Sequence, residues 1–89
     1  MPRTFFVGNL PYRTDEAMLR ELFAPYGNVV AVHMVGDREN GVFRGFAFLR
    51  IDTEDVRRVL DTLDKMPLGK QLLIVQELNA RDVTRSVEP

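Results

Sequence analysis

The chain has no cysteine, so neither a disulfide nor a thiolate metal site can hold it together, and its fold rests on packing alone. It has a single histidine, His33, which rules out a histidine-rich metal centre. Long hydrophobic runs are missing: the purely aliphatic stretches Val29–Val32 and Leu72–Val75 stop at four residues. Met1-Pro2-Arg3-Thr4 offers no apolar signal core, so neither secretion nor a membrane span is expected. A cytoplasmic location is the default reading, or a nuclear one in a eukaryote. Strong charge of either sign is lacking too, the net being −1. What remains is 89 residues, 45% apolar and 28% charged, enough for one small packed domain.

The weak net charge hides an uneven distribution. Two helices are expected, over residues 14–25 and 53–65. Together they carry seven acids and four bases, whereas the rest of the chain carries eight bases and six acids. Acid collects on the helices, and strands and loops are mildly basic. An anionic partner would be attracted modestly and in a salt-sensitive way.

Thr4 to Gly8 is rich in strand-forming residues and closes in the turn cluster Gly8-Asn9-Leu10-Pro11. Thr14 can cap the first helix, with Asp15 and Glu16 in the first turn where the macrodipole favours acid. Leu19, Leu22, Phe23 and Tyr26 recur at helical spacing as one apolar stripe, closed by Pro25 and Gly27. Asn28 to Val35 reads as a second strand and Gly36 to Gly41 as a polar loop, so strands two and three form a hairpin. Asp52 or Thr53 caps the second helix, whose stripe is Val56, Val59, Leu60 and Leu63 and which ends near Met66-Pro67. Leu72 to Val75 is the fourth strand. Residues 79–89 are polar and read as a flexible or short helical tail beyond a domain of residues 1–78. The order β-α-β-β-α-β is an α+β, ferredoxin-like arrangement: a four-stranded antiparallel sheet with both helices on one face and the other face bare.

The third strand, Arg44-Gly45-Phe46-Ala47-Phe48-Leu49-Arg50-Ile51, carries the functional argument. Alternation puts Arg44, Phe46, Phe48 and Arg50 on one face and Gly45, Ala47, Leu49 and Ile51 on the other. Burying the first set would place two guanidinium groups in a core, which is costly unless each is paired. The aliphatic set therefore faces the helices, and two phenylalanines flanked by arginines face the bare side. Exposed rings between cations suit unstacked bases and phosphates. In the first strand alternation alone leaves Phe6 open, because neither parity buries a charge.

The octapeptide Arg44–Ile51 and the hexapeptide Phe5-Phe6-Val7-Gly8-Asn9-Leu10 resemble the paired ribonucleoprotein motifs of the RNA recognition motif family, at the family's spacing and on the expected strands. The chain is most similar to small single-domain bacterial members and lacks the glycine-rich tail of some eukaryotic ones. The resemblance implies that strands one and three lie side by side at the sheet centre. It also implies that Phe6 and Phe46 each stack a base, that Phe48 lies between two riboses, and that Arg44 meets a phosphate. Position on the same face makes Arg50 a further contact. With Val32 and Met34 in the core, His33 shares that face, as a base contact or as a partly exposed structural histidine. Arg3, Arg13 and Arg38 are rim candidates, and Asn9 is expected to fix the loop after strand one through local hydrogen bonds.

The pattern departs from the family's in three places. Ile51 ends the octapeptide where an aromatic is usual, and Val42-Phe43 precede it where basic or small residues are common. Strand four is apolar at both parities; with Leu72 and Ile74 taken into the core, Leu73 and Val75 fall on the bare face. The leading function is a single-stranded RNA-binding module, acting as a post-transcriptional regulator or RNA chaperone, with single-stranded DNA as a further ligand. The alternative is a protein-interaction or homodimerising module on the same face, motivated by Leu73, Val75, Val42 and Phe43; otherwise a monomer is expected. No cofactor, metal or catalytic residue is expected, because no nucleophile–base pair or phosphate-gathering loop stands out.

Overall fold

Which side of the sheet is closed is decided in the central strands, where only one parity can be buried cheaply. The computed structural model describes residues 2–36 and 43–78, with the side chains of Phe43 and Arg44 outside that description. The elements are β1 (Pro2–Gly8), α1 (Glu16–Phe23) running into a 3-10 turn (Ala24–Tyr26), β2 (Asn28–Gly36), β3 (Phe43–Asp52), α2 (Val56–Leu63), β4 (Pro67–Leu68), β5 (Gln71–Leu72) and β6 (Ile74–Leu78). β2, β3, β1 and β6 form one four-stranded sheet in that order, each adjacent pair antiparallel, while β4 and β5 make a separate small hairpin. The ferredoxin-like order is as the element pattern implies, and the central pair β1–β3 is as the family resemblance implies. The expected tail, residues 79–89, and the loop residues Arg38 and Val42 lie outside the described residues.

Phe5 and Val7 of β1, Ala47, Leu49 and Ile51 of β3, and Leu73 and Val75 around the start of β6 are buried against Leu19 and Phe23 of α1 and Val59 and Leu63 of α2. Each fully buried aliphatic or aromatic side chain stabilises by roughly 1.5–3 kcal/mol. The expected helical stripes are the ones used: Leu22, Tyr26, Val56 and Leu60 pack partly buried against the same core. No helix of the described residues is long and apolar enough to cross a membrane.

Three expectations are corrected. First, the N-caps fall one to three residues later than the candidates. Asp15 caps α1, its carboxylate accepting from Met18 N at 2.9 Å, and Asp55 caps α2, accepting from Arg58 N at 3.0 Å. Thr14 is turned into the protein, buried, and Thr53 is used otherwise: its hydroxyl donates to the Tyr26 carbonyl at 2.7 Å and accepts from Asp55 N at 3.2 Å. A shorter helix is the result at both N-termini.

Second, the fourth strand is divided. Gly69, at φ +64, turns β4 back on β5, and only then does β6 join the sheet. Third, its parity is opposite to the expected one. Leu73 and Val75 are sealed in the core at 0% and 2% exposure, whereas Leu72 and Ile74 stand open at 53% and 43%. With four apolar residues in a row, alternation carries no signal, and the backbone connections decide. Lys65 N donates to Leu73 O at 2.7 Å and Leu73 N to Met66 O at 2.9 Å, which holds Leu73 against the end of α2. Val75 then pairs with the buried Val7, its N–H donating to the Asp64 carboxylate at 2.9 Å.

Candidate nucleic-acid interface

The helix-free face of the sheet is organised in rows across the strands. In the central row, Gln76 of β6, Phe6 of β1, Phe48 of β3 and His33 of β2 are in register side by side. In the row beyond it, Ile74 lies opposite Gly8 and Val35 opposite Phe46. In the row on the other side, Leu78, Thr4, Arg50 and Ala31 align. The parity that leaves Phe6 undecided in the sequence is thus settled by register with Phe48.

Phe6, Phe46 and Phe48 form a mutually supporting cluster. Ring centroids are 5.7 Å apart for Phe6–Phe46, 5.8 Å for Phe6–Phe48 and 6.2 Å for Phe46–Phe48, with interplanar angles of 38°, 60° and 90°. Tilted and edge-on contacts at these distances are favourable for π-systems and hold each ring in place. None of the three is buried. Gly8 makes room for this arrangement. A Cβ there would stand 2.8 Å from Phe6 Cε1 and 2.9 Å from its Cζ, so the ring lies across the bare glycine.

The charged and polar candidates are distributed around the rings. Arg50 is exposed, one row from Phe48 on the same strand. His33 is exposed beside Phe48, and Val32 and Met34 pack against the core as expected. Between Phe43 and Phe46 the pairing with β2 is irregular and Gly45 has φ +88, so regular alternation does not carry Arg44 onto the face of Phe46; its side chain lies outside the described residues, as does that of Phe43. Arg3 is not part of this surface. It is opposite the buried Ile51 and its guanidinium meets the Glu77 carboxylate at 2.6 Å at the end of the sheet. Asn9 does fix the loop after β1, through partners far along the chain rather than nearby. Its Nδ2 donates to Leu72 O at 2.7 Å, and Gln71 Nε2 donates to Asn9 O at 2.9 Å.

Two participants of this face escape a reading of the sequence alone. Gln76 ends the central row, and Ile74 occupies the next. Gln76 and Glu77 are both polar, so the strand offers no unambiguous polar parity. Only the pairing of Phe6 with Gln76 assigns the amide to the open side.

With two central strands carrying partly buried rings on the helix-free face, the chain also matches the RNA recognition motif family model over residues 5–73. The chain belongs to the RNA recognition motif family. It is 40% identical over 73 residues to RbpD of Nostoc sp., whose name assigns RNA binding provisionally, covering 80% of this chain and 78% of that one. It is 38% identical over 78 residues to rat (Rattus norvegicus) RNA-binding protein 34, covering 86% of this chain but 18% of the relative. It is 34% identical over 87 residues to a chloroplastic 28 kDa ribonucleoprotein of Nicotiana sylvestris, covering 90% of this chain and 32% of the relative. The chain thus spans less than a third of these two relatives' length. Among solved structures, RNA-binding protein PG1 superposes with a TM-score of 0.80 at 38% identity, covering 85% of this chain and 93% of that one. The RNA recognition motif of RNA15 superposes with a TM-score of 0.81 at 25% identity, covering 93% and 97%.

Proposed function

We propose that this chain binds single-stranded RNA on the open face of its sheet and performs no catalysis. The observation that carries the reading is the cluster of Phe6, Phe46 and Phe48, three partly buried rings in tilted and T-shaped contact on the side without helices. An apolar patch of that kind is a liability in water unless a partner covers it. In this reading Phe6 and Phe46 each stack a base, Phe48 packs against riboses, Arg44 and Arg50 meet phosphates, and His33 contacts a base at the β2 end of the central row. Each base–aromatic stack is worth roughly 1–3 kcal/mol. Three contacts of this order support micromolar affinity, which corresponds to about 8 kcal/mol. The RNA-binding names of the relatives support the same ligand class, and a role on transcripts as regulator or chaperone extends it.

Titration of labelled single-stranded RNA pools by fluorescence anisotropy at low and high salt tests the reading. Binding is expected to weaken with salt as condensed counterions are released. Phe46→Ala and Phe48→Ala are expected each to lose about 5- to 100-fold in affinity. Unchanged affinity in the double variant would remove the proposal. A second reading, a protein-interaction or homodimerising module on this face, loses Leu73 and Val75 to the core but gains the exposed Ile74, with the exposed Leu72 in the separate β4–β5 hairpin. Light scattering that reports a dimer, in a protein that fails to bind RNA at low salt, would favour it.

A further inference from the structure

The most exposed large side chain with an apolar body among the described residues is not on the sheet. It is Tyr12, 71% exposed, in the loop between β1 and α1. An exposed ring on a mobile loop would mean little, but this loop is tied at every step. Asn9 holds a left-handed conformation at φ +56 and is bonded to Leu72 O and to Gln71, as described above. Leu10 is buried, and its N–H donates to Gly45 O at 2.9 Å, next to Phe46. Thr14 N donates to Pro11 O at 2.9 Å, and Thr14 itself is buried. Anchors at Asn9, Leu10, Pro11 and Thr14 leave Tyr12 and Arg13 standing out from a fixed base. The Arg13 guanidinium carbon lies 5.9 Å from the Tyr12 ring centroid, so the pair already forms a cation–π contact.

The loop also leaves the sheet where the rings are. Gly8, on which the Phe6 ring rests, is four residues from Tyr12, so the two Cα atoms are at most about 14 Å apart. A ring with an adjacent guanidinium offers a base a face to stack on and its phosphate a charge-assisted donor. We infer that Tyr12 and Arg13 form a stacking station off the sheet, which takes a further nucleotide of a single-stranded RNA that runs over this end of the ring cluster. The inference rests on the sheet face being the RNA site and adds length to the footprint. Asn9 is a positioning residue in it, acting only through the loop it ties to β5.

Oligomers of graded length, from about three to about ten nucleotides, separate the two ideas when titrated against the parent protein, Tyr12→Ala, Tyr12→Phe and Phe48→Ala. The parent is expected to gain about 5- to 100-fold in affinity once the oligomer outgrows the sheet. Tyr12→Ala is expected to match the parent on short oligomers and to lose that gain on long ones, while Tyr12→Phe keeps it. Phe48→Ala should weaken binding at every length. Identical length dependence in the parent and Tyr12→Ala would overturn the station and leave the sheet site standing. So would an equal loss at all lengths in Tyr12→Ala. Failure of the parent to bind any oligomer would overturn the sheet site and the station together.

Discussion

Phe5 and Phe6 are neighbours in one strand with the same side chain and opposite fates. Phe5, opposite Leu49, is sealed beneath the helices at 0% exposure; Phe6, opposite Phe48, is only partly buried and lies against the rings of Phe46 and Phe48 and across the bare backbone of Gly8. The pair shows how a small domain can divide its aromatics between holding itself together and holding something else. Each strand contributes to both tasks because side chains alternate across the pleat. The helices cover one set and leave the other as a ready-made surface.

The comparison breaks most visibly under truncation. Phe5→Ala is expected to lower the unfolding free energy by about 3–5 kcal/mol, because it opens a cavity that the packed core can only partly close. That is a large share of a domain's stability, and a denaturant midpoint would register it. Phe6→Ala should leave that midpoint nearly unchanged and instead lower RNA affinity by about 1–3 kcal/mol, the worth of one stack. Gly8→Ala sharpens the point, since its Cβ must displace the Phe6 ring. It should cost RNA affinity less than Phe6→Ala and stability little.

The helix ends give a smaller effect. Asp55→Ala removes the acceptor for Arg58 N and is expected to cost about 1 kcal/mol, with Thr53→Val probing the separate bridge to Tyr26. The smallest effect belongs to the Arg3–Glu77 pair, half open to water. Arg3→Ala should change stability by less than about 1 kcal/mol and leave RNA affinity unchanged, because the side chain points to the helix side of the sheet.

The residues differ in how far they reveal their own placement. In β3 the two arginines make one parity too costly to bury, so the faces of Phe46, Phe48, Leu49 and Ile51 can be read without coordinates. In the first strand the sequence Phe5-Phe6-Val7 is apolar on both parities, and the family resemblance supplies what alternation cannot. Around Leu72–Val75 neither source suffices. The strand's parity depends on the hydrogen bonds Lys65 N to Leu73 O and Leu73 N to Met66 O, which clamp Leu73, and on a hairpin at Gly69 that delays entry into the sheet. The caps illustrate the same limit at shorter range. Thr14 and Thr53 are good capping residues by type, but one is drawn into the core and the other to Tyr26, leaving the work to Asp15 and Asp55.

The division between the two faces is tested most directly by chemical-shift mapping of the protein during titration with single-stranded RNA. The aromatic resonances of Phe6, Phe46 and Phe48 and the amides of the central strands are expected to move together. The buried ring of Phe5 and the exposed sides of α1 and α2 are expected to stay still. Shifts gathered on the helices, with the three rings unmoved at saturation, would contradict it.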